Sequence, residues 1–307
     1  MELMDFADVR RKVFAAYAAG SFHDGLDPIP QARAEYPDQD ETLTFWEACL
    51  SSMAGDPDHA LGALVAGLDR GLAWHPKMLA DPDLDSARDL AGWDELERRS
   101  ANTVLKLAAK RPKPLVRPSS GSTGTVVALH GGGAVPGEFF SEWAAVVPAE
   151  WTLIAPIGDV PRSGGRWAWP YDFSTSSLVE ALDDQPLQEP IILAGFSQGA
   201  ALALKTAWNG VYEVSGLIVV AGMLGVAEWH SSARKPVPLF LVMGTDDDIS
   251  YQPSKATCAA LVEAGVPVHV DLHGLGHEYP ADMSQVVRTA LAWINERSGR
   301  RDGGTGL

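Results

Sequence analysis

The hydrophobic rhythm of the chain changes once, near residue 110. From Asp5 to Ala109 apolar positions recur every three or four residues, as in FADVRRKVFAAYAAG and HALGALVAGLDRGL. That spacing puts them on one stripe of a helix and predicts a set of amphipathic helices. From Thr125 on, the pattern is a series of short apolar runs: TVVALHG, WTLIAPIG, PIILAGFS, GLIVVAG, PLFLVMG and VPVHVDLHG. Each is closed by glycine, and helical stretches separate them. Runs apolar on both faces belong to strands covered on both sides. The expected class is therefore α/β, a mostly parallel sheet with helices on both faces, preceded by an all-α domain. The expected boundaries are a helical domain at 1–110, a linker or edge strand at 111–122, an α/β domain at 123–297 and a disordered tail at 298–307.

The helical part repeats itself. YAAGSFHDGLDPI from Tyr17 aligns with SMAGDPDHALGAL from Ser52, setting Gly20 over Gly55, Gly25 over Ala60 and Leu26 over Leu61. The offset is close to the 34 residues of a tetratricopeptide repeat, in which a small residue sits where two helices cross. The following GLAWHPKMLADPDLDSARDLAGWDELERR resembles the closing unit and capping helix of such an array. Repeat stacks present a concave face, so a protein partner bound through these helices is an expectation.

Chemistry concentrates at LAGFSQGAAL, residues 193–202. Here a strand runs into Gly195-Phe196-Ser197-Gln198-Gly199 and then into an alanine-rich helix. A serine on so tight a strand-to-helix turn projects its hydroxyl above the sheet edge, and its glycine neighbours let strand and helix pass. A hydroxyl needs a base to act as nucleophile at neutral pH, and the base needs an orienting acid. TDDDIS follows PLFLVMG, so the acid is one of Asp246, Asp247 or Asp248. LGHEYP follows VPVHVDLHG and supplies His277, with His273 as competitor nearer the strand end. His23, His59, His75, His230 and His269 fall on helices, connectors or a strand. The oxyanion of a tetrahedral intermediate needs backbone donors. ALHGGGAVPG offers a glycine loop after the strand at 125–129, and the expected pair is Gly132 with Gln198, Gly133 being the second candidate. His130 reads as a brace for that loop. Trp167, Trp169 and Tyr171 either line an acyl or alcohol pocket or pack their loop onto the domain, and Arg162 and Arg166 in the same loop either read a carboxylate or are simply solvated, the latter being the usual state of loop arginines.

Composition narrows the partners. The 307 residues carry a net charge of −16 and are 46% hydrophobic. The acidic balance, with an estimated pI of 4.8, argues against nucleic acid and anionic membranes as partners. No apolar run is long enough to span a bilayer, and the start of the chain lacks a basic-then-apolar leader pattern, so a cytoplasmic location is the default expectation. The two cysteines, Cys49 and Cys258, read as free thiols in different domains. Histidines and cysteines lack metal-ligand spacing, and the expected chemistry calls for no cofactor.

Taken in order, LHGGG, GFSQGAAL, GTDDDIS and GHEYP resemble the α/β-hydrolase superfamily. GFSQGA is similar to the carboxylesterase/phospholipase group that includes acyl-protein thioesterases and small bacterial esterases. The resemblance covers roughly residues 123–297. It implies Ser197 as nucleophile and His277 as base. It also implies Asp247 as acid, three residues after the glycine ending its strand. The activity it implies is that of a serine hydrolase acting on a small-molecule carboxylic ester or thioester. The glycine run is longer than in the thioesterases, and the helical domain is foreign to the basic hydrolase. Two other readings are a repeat-type interaction module on a weakly active hydrolase scaffold and a hydrolase of amides or peptides.

Overall fold

The computed structural model describes residues 5–222 and 236–298. It divides into two compact units. His230 lies outside the described residues, with the rest of 223–235. So do residues 299–307 of the expected tail.

The first unit runs to Lys110 and also includes Pro161–Gly165. Its helices are α1 (Phe6–Ala18), α2 (Phe22–Leu26), α3 (Ile29–Glu35), α4 (Asp40–Met53), α5 (Pro57–Asp69), α6 (Pro76–Leu79), α7 (Asp85–Arg88) and α8 (Trp93–Ala108). Asp5 caps α1 by accepting from the Ala7 amide, and Asp56 caps α5 through the His59 amide. Gly20 and Gly55, the aligned pair, both adopt positive φ (71° and 86°) just past α1 and α4. Gly25 and Ala60, another of the three aligned pairs, are both buried, and a Cβ at Gly25 would sit 3.1 Å from Leu50. The two halves then diverge. Pro28 and Pro30 interrupt the chain after α2, where α5 runs on unbroken for 13 residues. Trp74 is fully buried, and its backbone is held at both ends by the Ser100 hydroxyl. Arg162 is not solvated: it pairs with the buried Glu41 carboxylate, which also accepts from the Ser163 amide at 2.5 Å.

The second unit is built on a seven-stranded sheet. Its strands are β1 (Leu115–Arg117), β2 (Thr125–Leu129), β3 (Thr152–Ala155), β6 (Ile191–Phe196), β7 (Gly216–Val220), β8 (Leu239–Gly244) and β9 (Val268–His273). The order is β1-β3-β2-β6-β7-β8-β9. All neighbours are parallel except β1, which runs antiparallel to β3 at the edge. A separate hairpin joins β4 (Val160–Arg162) to β5 (Arg166–Ala168). Strands β2, β3, β6, β7 and β8 are buried nearly throughout because helices cover both faces. Helices α9 (Pro136–Val146) and α13 (Met283–Ser298) pack Trp143, Val287 and Ile294 on one face. Helices α10 (Ser176–Leu182), α11 (Gln198–Asn209) and α12 (Tyr251–Glu263) pack Leu178, Leu202 and Leu261 on the other. α13 takes in Ser298, one residue beyond the expected boundary. Strand order reverses at β2, whose successor β3 lies on one side and β6 on the other. In open α/β sheets the crevice at such a reversal, past the carboxyl ends of the strands, is where ligands bind. The glycine loop after β2 and the serine after β6 both open into it.

Cys49 is buried in the helical unit and Cys258 half-buried in the sheet unit, both as free thiols. Among the described residues no helix is long and apolar enough to cross a membrane.

Candidate active site

Ser197 sits between β6 and α11 with φ 52° and ψ −116°, a backbone conformation that non-glycine residues rarely adopt. The surroundings hold it there. Its amide donates to Val220 O on β7 at 3.0 Å, and its carbonyl accepts from Ala201 within the first turn of α11. A Cβ on Gly195 would lie 2.5 Å from the Gly199 and Ala200 backbone. One on Gly199 would lie 2.2 Å from Leu129 O. Both glycines are therefore fixed by backbone crowding, as the bend requires.

Two later loops bring the polar partners. His277 Nε2 lies 2.9 Å from Ser197 Oγ, and its Nδ1 lies 2.8 Å from Asp247 Oδ2. Of the three aspartates Asp247 alone is buried; Asp246 and Asp248 are exposed. Asp247 Oδ1 accepts from the amides of Ile249 and Ser250 at 2.9 and 3.0 Å, and Oδ2 also accepts from the Ser250 hydroxyl. Burial pushes this carboxyl up, but the hydrogen bonds from His277 and Ser250 outweigh it and hold it well below the usual carboxylate range. His273, the competing imidazole, ends β9 and accepts from the Leu275 amide through Nδ1. Phe196 packs beside the His277 ring, with centroids 5.2 Å apart.

The glycine loop lies against the bend. A Cβ at Gly131 would come 3.0 Å from the Phe196 ring and 3.6 Å from Ser197 Cβ. One at Gly132 would come 3.2 Å from Gln198 Oε1. The structure thus sets Gly132 beside Gln198. Gly133 is committed elsewhere, because its amide donates to Trp167 O at 2.9 Å. His130 is fully buried and stacks on Trp169 at 4.9 Å. Its Nε2 accepts from the Gly158 amide, so Nδ1 carries the proton and donates to Gly131 O at 2.8 Å. Burial pushes this imidazole down to about 4, which keeps it neutral at physiological pH.

Trp167 and Trp169, read from sequence as either pocket-lining or loop-packing, are 4% and 0% exposed. The Trp167 backbone pairs with Gly133 and Ala134, and the Trp169 indole N–H donates to His130 O at 2.8 Å. Arg166, read as solvated, donates to Gly133 O at 3.1 Å. An open cleft of about 240 Å³ lies along the glycine loop instead, with Phe139, Phe196 and Tyr279 as its apolar lining and Glu138, Glu142 and Arg166 as its charged side chains. Burial and the neighbouring Glu138 raise the Glu142 carboxyl. Tyr279 accepts from the Trp143 indole N–H at 3.2 Å. Ser250 and Tyr279 are the site residues that motif order missed. Ser250 alone left a trace, standing three residues after Asp247 where a side chain can close a local turn.

A mostly parallel sheet with helices on both faces matches the α/β-hydrolase fold. Residues 172–295 match the phospholipase/carboxylesterase family model, a span that includes Ser197, Asp247 and His277 but not the glycine loop. Acyl-protein thioesterase 1 homolog 2 of Dictyostelium discoideum is 36% identical over 80 residues, 24% of this chain and 36% of that protein. Acyl-protein thioesterase 1 homolog 1 of the same organism is 30% identical over 151 residues, 40% of this chain and 66% of that protein. The chain thus spans less than two thirds of either relative. Among solved structures, an uncharacterized protein from Bacillus cereus aligns over 95% of this chain and 100% of its own, with a TM-score of 0.53 and 18% identity. Esterase PE8 aligns over 61% of this chain and 99% of its own, with a TM-score of 0.50 and 20% identity. Both show a shared fold.

Proposed function

We propose that the protein is a serine hydrolase that cleaves carboxylic esters or thioesters through an acyl-enzyme. The observation that carries this reading is the continuous relay from Ser197 Oγ through His277 to Asp247, with steps of 2.9 and 2.8 Å. His277 Nε2 takes the Ser197 proton as Oγ bonds to the acyl carbon, and Asp247 holds Nδ1–H and stabilises the imidazolium. The Gly132 and Gln198 amides donate to the oxyanion. His277 then passes its proton to the leaving alkoxide or thiolate as the acyl–leaving-group bond breaks. In the second half it takes a proton from water, whose oxygen attacks the acyl carbon, and returns that proton to Ser197 Oγ as the carboxylic acid departs. Every proton is accounted for within the relay, so the cycle calls for no cofactor.

The family match and the thioesterase relatives favour oxygen or sulfur esters over amides. The matched glycines and buried small residues of the first unit favour a tetratricopeptide-like helical pair, the expected seat of a protein partner. The test of the catalytic reading is fluorophosphonate labelling together with hydrolysis of p-nitrophenyl acetate. Stoichiometric labelling at Ser197, and a rate lost in Ser197→Ala, are expected. Equal rates in the two proteins would leave the fold as a scaffold and overturn the proposal.

A further inference from the structure

The side chain of Gln198 has no part in the relay, yet it makes two well-formed hydrogen bonds. Its Oε1 accepts from the Trp169 amide and its Nε2 donates to the Trp169 carbonyl, each at 2.9 Å. The carboxamide thereby replaces a neighbouring strand residue, satisfying both polar groups of one backbone position. A residue opening a helix ordinarily leaves such a side chain to solvent, so this engagement asks for a reason.

Trp169 itself is locked. Its indole stacks on His130 with planes 26° apart, donates to His130 O at 2.8 Å and is fully buried. Two residues earlier, Trp167 accepts from the Gly133 and Ala134 amides at 2.9 and 3.1 Å and donates to Ala134 O at 2.9 Å. The backbone from 167 to 169 is therefore tied to the glycine loop at one end and to the serine bend at the other. The loop needs such a tie. Gly131, Gly132 and Gly133 have no side chains to anchor them, and Gly133 sits at φ 75°.

We infer that the Gln198 carboxamide is a positioning residue, which clamps the Trp169 backbone to the bend and so fixes the spacing between the Gly132 and Gln198 amides. This rests on the proposal that those amides form an oxyanion hole. The job is specific to glutamine. Asparagine is one methylene short, and an ionised glutamate would set a second acceptor against the Trp169 carbonyl.

The test is Gln198→Met and Gln198→Glu, both of which keep the backbone amide at 198. For p-nitrophenyl acetate kcat is expected to fall roughly 10- to 100-fold, below the loss for removing a donor outright, with KM within about threefold. Affinity for a trifluoromethyl ketone, whose hemiketal oxygen occupies the same hole, should fall by a matching factor. Fluorophosphonate titration corrects each rate for the fraction of folded enzyme. Amide hydrogen exchange at 131–134 should accelerate at least about tenfold while β6 stays protected. Unchanged kcat and unchanged loop exchange in Gln198→Met would overturn the inference. So would a rate loss that vanishes on titration. If the wild type and Ser197→Ala hydrolyse ester equally, the hydrolase reading fails by itself, and the exchange measurement still decides the clamp.

Discussion

Asp247 and His277 stand thirty residues apart in sequence and 2.8 Å apart in space, joined Oδ2 to Nδ1. Asp246 and Asp248, its immediate neighbours, are exposed. Replacing the orienting acid leaves an imidazole free to take the wrong tautomer, which in a serine triad costs about 10⁴ in turnover. Asp247→Asn should therefore lower kcat by about 10³–10⁴, while Asp246→Asn and Asp248→Asn stay within about threefold of wild type. Ser250→Ala, which removes one hydrogen bond to the carboxylate, should cost about tenfold. Steady-state ester hydrolysis across the four variants checks the ranking.

The crowding at Gly199 makes a separate prediction. A methyl there would press on two main-chain carbonyls, at 2.2 Å from Leu129 O and 2.5 Å from His130 O, and neither can rotate away. Gly199→Ala is expected to lose about 3 kcal/mol of stability or more, beyond the usual cost of an overpacked core. It should also lose measurable hydrolysis. Urea denaturation followed by tryptophan fluorescence reads the first effect.

Acid should loosen the protein in two stages. Burial holds His130 neutral with its protonation pushed down to about 4, against 6.5 for the free side chain. The unfolded chain takes up that proton below about pH 6.5 and the folded one does not. Stability from the neutral ring is thus complete above about 6.5 and drains as the pH falls toward 4, by a magnitude on the order of 3 kcal/mol. Asp247, held low in the folded state, adds stability that is present above its unfolded value and is lost only as the pH falls further. Denaturation midpoints from pH 7.5 to 4.5 should fall more steeply for the wild type than for His130→Gln.

Trp167 is a candidate either for a substrate pocket or for packing its loop, and its burial puts the expected effect on folding rather than specificity. Trp167→Ala should destabilise by about 3–5 kcal/mol. The ratio of rates on acetyl and octanoyl p-nitrophenyl esters should stay within about twofold. A changed ratio at unchanged stability would restore the tryptophan to the pocket wall.

Much of this was legible in the chain itself, for physical reasons that differ from element to element. Strands β2, β6, β7 and β8 are apolar on both faces and close at or near glycines, so their class could be read directly, whereas their order in the sheet carries no local signal. β9 alternates half-buried and exposed positions because it lies at the rim, yet its glycine-closed run was still visible. Motif order separated the serine, the imidazole and the three aspartates, and the family resemblance pointed to Asp247 by its distance from the strand-ending glycine; the burial that sets it apart from Asp246 and Asp248 is a property no local spacing carries. The tryptophans stayed open between two readings because an aromatic residue in a loop looks the same whether it faces a ligand or supports a backbone. Arg162 stayed open likewise, since its partner Glu41 lies 121 residues away. The Gln198 clamp was invisible because it joins a side chain to main-chain atoms, which carry no residue identity.

The acid and the imidazole leave neighbouring strands, and the ladder from Leu239–Val268 to Gly244–His273 fixes their aim. Only one of those strands is sheltered. β9 is the last in the sheet, and Leu272 on it is 52% exposed. On gentle warming the rim is expected to unzip before the centre melts, taking His277 with it. Turnover should therefore fade several degrees below the calorimetric transition and return on cooling, so that the outermost strand works as the enzyme's thermal fuse.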